Sequence, residues 1–499
     1  MKTIKTLTLS LLAAALAGTA ANAQTTYVHL AGSTAFRAPT TAAIIQVLYN
    51  STSGHVVHAG WSSADTGLLG AGHAILANGT IGSGGTATIV VETDWTGSVG
   101  GLVDLVAQNS SDSFLDAANI DSTDATTFNA SVVTVDANNG GDTSGSTGYG
   151  GGAGLSSSMP TVLASPDFAM SDAYNTTAKN ELSTILTGGG SYTPVNGTLT
   201  TVALLANAVG NTVAAGGTGT GHAGKAKLVG VVPFEWLVGN YSSLTDAPTN
   251  ISQSTAKSLL TSGLVSQSQL TGHSADAANY FYLTGRNEDS GSRIIPLMEA
   301  QFGVINAPYQ YQLTATSGTL SSAAGWAAST TLYTQPGITW GIQGHSGYNT
   351  GGNVASALDY IETNSNSIIT DGTAPGTNTG GQYFIGYVGL TDATNAIAGG
   401  AHALTYNGVS YSVAAVQNGQ YTLWGYEHAY RLSGSTAADG VADSIADTIY
   451  TLTADIDSKG LHSEDPGLIG TDVTAAGLLY DSRFNVSRTL TEGGPITHN

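Results

Sequence analysis

Three segments of the sequence end a β-rich run with glycine and hydroxyl residues and then open a helical pattern. They are residues 32–36 (GSTAF), 96–101 (TGSVGG) and 286–292 (RNEDSGS). The start of a helix exposes unpaired backbone N–H groups that carry a partial positive charge. Glycine lets this backbone approach a ligand closely, and Ser or Thr adds a hydroxyl donor, so each turn could bind an anion without net basic charge. Arg286 would add a planar fork that matches two oxygens of a tetrahedral anion.

A fourth segment, residues 166–173 (PDFAMSDA), supplies a carboxylate, Asp172. A carboxylate that faces an oxyanion repels it unless the anion keeps a proton to donate, as phosphate does and sulfate at neutral pH does not. Because a buried acceptor without a partner costs about 1–3 kcal/mol, one Asp could reject sulfate. The alternative for Asp172 is a turn or cap residue, and a Ser or Thr at any one helix start is usually an N-cap.

Together and in this order, the four segments resemble the phosphate-binding proteins of bacterial phosphate ABC transporters, within the type II periplasmic binding-protein superfamily. That family has a Gly-Ala-Thr-Phe-like turn, a Gly-Ser-x-Gly-Gly helix start, an Asp-Phe-Gly-Ala-Ser-Asp-Ala segment and a later Arg-x-Asp-x-Ser-Gly-Thr. The resemblance covers most of residues 26–430 as islands separated by insertions. The order of the motifs is specific, although no single motif is.

The resemblance implies a set of phosphate-binding residues at the positions that match the family's motifs. They are Ser33, Thr34, Ala35, Phe36, Ser98, Asp172, Arg286, Ser290, Gly291 and Ser292. The spacing from Arg286 to Ser290 equals that of the family. The chain departs from the pattern in its longer first turn, in two acids beside Arg286, and in Pro296, which predicts that the helix after Ser292 starts late or kinks.

The elements that would position these residues alternate along the chain, as is typical of an α/β fold. Strands are predicted at residues 27–30, 86–92, 228–232, 280–283 and 384–388, and helices at 39–49, 99–108, 254–262, 293–302, 354–364 and 437–456. The fold implied is α/β, a two-lobe periplasmic-binding-protein-like (type II) fold with a two-stranded hinge and long Gly/Ser/Thr-rich insertions. The predicted parts are a signal peptide at 1–23, lobe 1 at 24–232 with insertions at about 51–85 and 112–165, lobe 2 at 233–384, and a return to lobe 1 with a C-terminal segment at 385–499.

The composition favours an exported protein. Lys2 and Lys5, an apolar stretch at residues 7–16 and Ala-Asn-Ala at 21–23 are typical of a secretory signal cleaved after Ala23. The chain has no cysteine, so neither a disulfide nor a lipoprotein anchor is expected. No later apolar run reaches about 18 residues, which predicts no direct membrane insertion and a periplasmic or secreted location. A formal net charge of −21 disfavours nucleic acid as a partner.

Other chemistry is not indicated by the remaining residues. His55 and His58 would fall on opposite faces of a strand, so no metal site is predicted, and no cofactor or catalytic residue is expected. The predicted function is that of a solute-binding protein, not an enzyme, that holds inorganic phosphate or a similar oxyanion in an interlobe cleft. An ABC transporter permease is the expected partner. Two alternatives remain open, a surface or matrix adhesion protein that reuses the fold and a phosphoryl-processing enzyme.

Overall fold

The chain forms a mixed α/β structure around one large sheet. The computed structural model describes residues 24–51, 56–62, 68–108, 112–120, 132–134, 155, 159–187, 199, 201–210, 227–239, 246–311, 347–359, 382–432, 436–455, 485–488 and 492–498. The predicted signal peptide at 1–23 and parts of both predicted insertions lie outside these residues. Within them, no helix has the length and apolar character needed to cross a bilayer.

Ten α-helices, three short 3-10 helices and nineteen strands are assigned among the described residues. The helices are α1 Arg37–Asn50, α2 Ser98–Ala107, α3 Asn175–Thr187, α4 Gln253–Ser262, α5 Gln267–Thr271, α6 Gly291–Glu299, α7 Gly351–Asp359, α8 Leu390–Gly399, α9 Val413–Gln417 and α10 Ala437–Asp455. The strands up to the middle of the chain are β1 Thr26–Gly32, β2 Val56–Trp61, β3 His73–Ala77, β4 Ile89–Asp94, β5 Asp112–Leu115, β6 Val132–Thr134, β7 Thr161–Ala164, β8 Phe168–Ser171, β9 Val209–Gly210 and β10 Lys227–Val238. The later strands are β11 Asn250–Ile251, β12 Leu264–Ser266, β13 Tyr280–Thr284, β14 Gln382–Gly389, β15 His402–Ala403, β16 Thr405–Tyr406, β17 Trp424–Arg431, β18 Val486–Arg488 and β19 Ile496–His498.

The large sheet has the strand order β12-β13-β14-β10-β17-β8-β1-β4-β3-β2-β6, with β15 and β9 paired beside β10 and β17. Strands β1, β4 and β8 are parallel to one another, and their buried apolar residues form the centre. Helices α1 and α10 pack together on one face, while α2 and α3 cover the other around Leu102 and Leu182. Helices on both faces bury these central strands, including polar residues such as Glu92 and Asp94 of β4. The α/β prediction is therefore confirmed.

Strand β10 joins the two parts of this sheet. Its first part pairs with β17 up to Pro233, and its second part pairs with β14 from Phe234 onward. Proline has no backbone N–H to donate, and Pro233 lies where β10 leaves one partner for the other. The strand extends six residues beyond the predicted end at 232, so it crosses the predicted boundary between the lobes without a break. The boundaries at 232 and 384 stay predictions.

The last described segment ties elements from both parts of the sheet together. Buried Arg488 pairs through Nη1 with Glu299 Oε2 at 3.0 Å, at the end of α6, and its guanidinium lies 4.4 Å from the Trp424 ring centroid. Four residues later, Glu492 accepts a hydrogen bond from Thr177 Oγ1 at 2.5 Å and another from the Tyr174 N–H at the start of α3. Residues 485–488 and 492–498 thus connect α6 and α3, and we call these two segments the C-terminal clasp.

On β1, His29 lies between acids from two neighbouring segments. Its Nε2 lies 3.1 Å from Glu92 Oε2 on β4, and its Nδ1 lies 3.4 Å from Asp167 Oδ2, just before β8. Burial lowers the pKa of His29, but the hydrogen bonds to Asp167 and Glu92 outweigh burial and raise the pKa to about 9. The imidazolium therefore holds β1 between the strands whose ends carry the candidate site.

We expect this arrangement to make stability depend on pH. The folded pKa exceeds the ordinary value of 6.5, so the contribution is complete below pH 6.5 and is lost as pH rises through about 9. The free energy of unfolding should fall by about 2–3 kcal/mol more in the wild type than in His29→Gln across this window, measured by urea unfolding. As a control, His73→Gln removes a more exposed histidine beside Asp94 and should keep the wild-type slope. Parallel profiles for the wild type and His29→Gln would contradict the assignment.

Candidate functional site

Two glycines with positive φ allow the predicted turns to meet. Gly32 ends β1 at φ 123°, and a Cβ there would lie 2.0 Å from the Met170 carbonyl oxygen. Gly97 precedes α2 at φ 97°, and a Cβ there would lie 2.6 Å from the Asp289 carbonyl oxygen. Only glycine adopts this backbone cheaply and leaves room for such contacts. The start of α2 therefore packs directly against the segment that begins at Arg286.

Ser98, Asp172 and Gly291 come from three distant segments and touch. The Ser98 hydroxyl donates a short hydrogen bond to Asp172 Oδ1, and the Asp172 N–H lies 3.3 Å from Ser98 Oγ. A Cβ on Gly291 would lie 1.6 Å from the same Asp172 Oδ1 and 3.0 Å from Ser98 Cβ. Ser98 and Asp172 are both buried. Residues from three distant parts of the chain therefore meet at this point, and their roles as anion ligands stay predictions.

The guanidinium of Arg286 is buried and fixed in place. Its Nε donates to the Tyr348 carbonyl at 3.0 Å and its Nη2 to the Asn349 carbonyl at 2.8 Å. No described residue accepts a hydrogen bond from Nη1. Burial lowers the pKa of Arg286, and the negative charges of Asp392 and Asp172 act against that shift. Because two carbonyls already fix the plane of the guanidinium, Arg286 loses little conformational entropy when it binds a further ligand.

Helix α6 begins directly at Gly291, behind Ser290. Ser290 is the N-cap residue in position, but its side chain makes no capping hydrogen bond. The N–H groups of Gly291 and Ser292 have no acceptor within the described part of the chain, as first-turn amides have none inside their own helix. Pro296 lies inside α6, so the helix does not start late. The turn at 290–292 offers donors that no capping interaction uses.

The turn at 33–36 is divided between internal bonds and unused donors. The Ser33 N–H donates to the Met170 carbonyl at 2.8 Å, the Phe36 N–H donates to the Ser33 carbonyl at 3.3 Å, and the Phe36 ring is in the core. The amides of Thr34 and Ala35, both half-buried, meet no acceptor among the residues described. Ser33 is also an N-cap residue without a side-chain capping bond, because its hydroxyl is directed to Glu427.

At the start of α2, the backbone donors of the second and third residues are already occupied. The N–H groups of Val99 and Gly100 donate to the Asp289 carbonyl oxygen at 2.9 and 3.2 Å. The Asp289 side chain accepts from Asn287 Nδ2 at 3.2 Å, so this acid is held beside Arg286 by its own neighbour. Ser98 thus faces the site with its hydroxyl, while the helix start behind it is capped by another segment.

Asp172 is an acceptor that lacks one partner. Its Oδ2 is buried and has no hydrogen-bond partner among the described residues. Burial raises the pKa of Asp172 to about 6, against the Ser98 hydrogen bond and the charge of Arg286, which lower it. A second acid, Asp392, lies against the start of α7, where a Cβ on Gly351 would be 1.8 Å from its Oδ2. Burial raises the pKa of Asp392, and the charges of Arg37 and Arg286 oppose that shift.

One buried acid of this region was not predicted from the sequence. Glu427, on β17, accepts the Ser33 hydroxyl at 3.2 Å, and its Oε1 has no hydrogen-bond partner in the described part of the chain. The signal was present, because a lone carboxylate interrupts the aromatic strand WGYEHAYR. A buried acid without a partner destabilises the fold, so its presence in such a strand indicates a partner or a function.

Among the described residues, one cluster of possible metal ligands lies outside this site. Asp246, His273 and Asp276 are gathered so that their ligand atoms lie within 4.8 Å of one another, in a part of the molecule that is mostly exposed. The Nδ1 of His273 lies 3.5 Å from Asp246 Oδ2, which is the distance of an ordinary ion pair. Exposed groups of this kind are common without an ion.

No protein-family model matches the chain, and no curated protein matches it either. Solved structures do. One is a protein from Clostridium perfringens assigned as a phosphate ABC transporter substrate-binding protein, with bound phosphate, at 9% identity over 85% of this chain and 97% of that one, with a TM-score of 0.36. Another is PstS from Borrelia burgdorferi, at 12% identity over 87% and 97% of the chains, with a TM-score of 0.32. Because both TM-scores lie below 0.5, we base the functional assignment on the geometry of this chain alone.

Proposed function

We propose that this protein is an exported solute-binding protein that holds inorganic phosphate, or a similar tetrahedral oxyanion, between two lobes, for uptake by an ABC transporter. The observation that carries the proposal is the buried Oδ2 of Asp172, which lacks a hydrogen-bond partner among the described residues and lies beside a fixed arginine and the start of α6. A buried acceptor without a partner is costly, and a protonated oxyanion would supply the missing donor.

The donors proposed for the anion are groups that have no acceptor among the described residues. They are Arg286 Nη1, the N–H groups of Gly291, Ser292, Thr34 and Ala35, and the hydroxyls of Ser290 and Ser292. Each charge-assisted hydrogen bond contributes about 1.5–3 kcal/mol, so a handful reaches micromolar affinity at about 8 kcal/mol. The chemistry is binding, without a covalent step.

Closure around the anion would use the connection through β10. Thr34 and Ala35 follow a strand on the β17 side of the sheet, whereas Arg286 and Gly291 follow β13 on the β14 side. An anion that bonds to both groups is held only when the two parts approach, so ligand binding favours the closed arrangement. The hinge would lie at residues 231–234 of β10, where this strand passes from β17 to β14, together with the return segment at 385–390.

Titration calorimetry with phosphate and sulfate tests this function. We expect the wild-type chain to bind phosphate and to bind sulfate at least on the order of tenfold more weakly, because sulfate at neutral pH has no proton for Asp172. In Asp172→Asn the amide can donate to either anion, so the preference for phosphate should shrink on the order of tenfold.

The control for this change is Asp439→Asn, which makes the same charge change at the start of α10. It should keep the wild-type preference. A wild-type chain that binds no tetrahedral oxyanion would sink the proposal and leave the adhesive surface or matrix protein as the better assignment. An unchanged preference in Asp172→Asn would remove Asp172 from the site while leaving phosphate binding in place.

A further inference from the structure

Three neighbouring strand ends place Glu427 next to the candidate anion site. The antiparallel register of β17 and β8 pairs His428 with Ser171, so Glu427 lies opposite Asp172. The parallel register of β8 and β1 pairs Met170 with Gly32, so Ser33 follows on the adjoining strand. The hydroxyl of Ser33 bridges to Glu427 Oε2 at 3.2 Å. Glu427, Asp172 and Ser33 therefore form one row at the edge where the first turn begins.

No cation compensates Glu427 among the described residues. It is fully buried, its Oε1 has no hydrogen-bond partner among them, and the ion pairs found there do not include it. The groups that interact with it are the carboxylate of Asp172 just after β8, the Ser33 hydroxyl from the first turn, and the Tyr430 phenol three positions along β17. Glu492 of the C-terminal clasp adds a further acid beside Asp172.

The next residue, His428, supplies no compensating charge. Its Nδ1 lies 3.3 Å from the Ser171 carbonyl, and its Nε2 is buried without a hydrogen-bond partner among the described residues. Burial lowers the pKa of His428 to about 4, with the backbone hydrogen bonds opposing, so the ring is neutral at physiological pH. An ionised Glu427 would thus be a buried charge with one hydroxyl as its stabilising contact, which is costly.

We propose that Glu427 is a positioning residue of the anion site, which acts through the Ser33 hydroxyl, and that its carboxyl must be protonated for the anion to bind. The proposal rests on the proposed function. An ionised Glu427 accepts the hydrogen of the Ser33 hydroxyl and turns the lone pairs of that oxygen towards the ligand. A protonated Glu427 donates to the same oxygen and leaves the Ser33 hydrogen free for the anion. Ionisation would also place a second negative charge beside Asp172.

The electrostatics agree with this assignment. Burial raises the pKa of Glu427 well above its usual range, the negative charge of Asp172 raises it further, and the Ser33 hydrogen bond opposes both. The carboxyl is neutral in the folded chain until the pH rises far enough to ionise it. Anion affinity should therefore fall as pH increases through that transition, beyond any change caused by the ligand or by Asp172.

The test is the dissociation constant of inorganic phosphate for the wild type and Glu427→Gln, measured by calorimetry from about pH 6 up to the highest pH at which both chains stay folded. Glutamine has the same shape, is neutral at every pH and keeps a donor for Ser33. Over this range, we expect the wild type to lose on the order of tenfold more phosphate affinity than Glu427→Gln loses. This difference corresponds to one charge-assisted hydrogen bond. If Glu427 had only a structural role, the ratio of the wild-type affinity to the Glu427→Gln affinity would be the same at every pH. Such a constant ratio would overturn the proposal.

Ser33→Ala gives an independent measurement if Glu427→Gln does not fold. Without the hydroxyl, binding should be weaker than in the wild type at low pH, and the two curves should converge at high pH, where ionised Glu427 has already withdrawn the Ser33 hydrogen. Curves that stay parallel would overturn the proposal. Phosphate binding by the wild type with parallel variant curves would leave the proposed function standing, whereas no phosphate binding by the wild type would overturn both.

Discussion

Arg286→Ala is expected to weaken phosphate binding by on the order of a hundredfold or more, because one side chain supplies both a charge and fixed donors. The substitution removes Nη1, for which no described residue is an acceptor, and takes one donor from each of the Tyr348 and Asn349 carbonyls. The Tyr348 carbonyl keeps the Asn287 N–H as a donor at 3.1 Å. It also removes the positive charge that lowers the pKa of Asp172, so the carboxyl moves further from ionisation. Titration calorimetry with phosphate measures the loss directly.

Two variants separate binding from folding in this experiment. Arg488→Ala removes another buried arginine, which pairs with Glu299 in the C-terminal clasp, and should lower stability while the folded fraction keeps its phosphate affinity. Arg286→Lys keeps the charge but lacks the planar fork, and it should bind with intermediate affinity. If Arg286→Ala binds phosphate as tightly as the wild type, the anion site lies elsewhere.

The second large effect concerns Gly32, where an alanine is expected to destabilise the fold by about 2–6 kcal/mol. A non-glycine residue held at positive φ costs about 1–3 kcal/mol, and overpacking of a tight contact adds about 1–3 kcal/mol. The clash is with the backbone oxygen of Met170, 2.0 Å from the added Cβ, which cannot rotate away as a flexible side chain can. Urea unfolding of Gly32→Ala measures the change.

Gly84→Ala is the matched control for this measurement. Gly84 has φ 80° and an added Cβ there would meet nothing within 4 Å, so the strain term acts without the clash. Its cost should stay at about 1–2 kcal/mol. Equal losses in Gly32→Ala and Gly84→Ala would show that the contact between β1 and Met170 is not tight. The difference in free energy of unfolding between the two variants measures how much the steric clash between the two strand ends destabilises the fold.

Local pattern was sufficient for the elements that carry their own signal. The apolar runs of β13 and β14 and the amphipathic pattern of α10 were predicted within a few residues of their observed bounds. The end of β10 was missed, because pairing with β14 extends the strand past Pro233, and no local pattern reports a partner about 150 residues away. Strand ends are set by the neighbour as much as by propensity.

The candidate site shows the same division. Glycine and hydroxyl residues made it possible to predict the turns at 32–36, 96–101 and 286–292 from the sequence. The structure brings Ser98, Asp172 and Gly291 into contact. The roles of these residues as ligands to an anion stay predictions. Glu427 and the Asp289 carbonyl were missed for a physical reason, because one depends on the register between two strands and the other is a backbone atom that every residue has.

The C-terminal clasp also orders events in time. Synthesis proceeds from the N-terminus, so the residues of β1, α2 and α3 are made before those of the C-terminal clasp. Until then the Tyr174 N–H and the Thr177 hydroxyl at the start of α3 lack their acceptor, and Glu299 at the end of α6 lacks its arginine. The contacts that join the two helices through the C-terminal clasp can therefore form only after the clasp residues have been made.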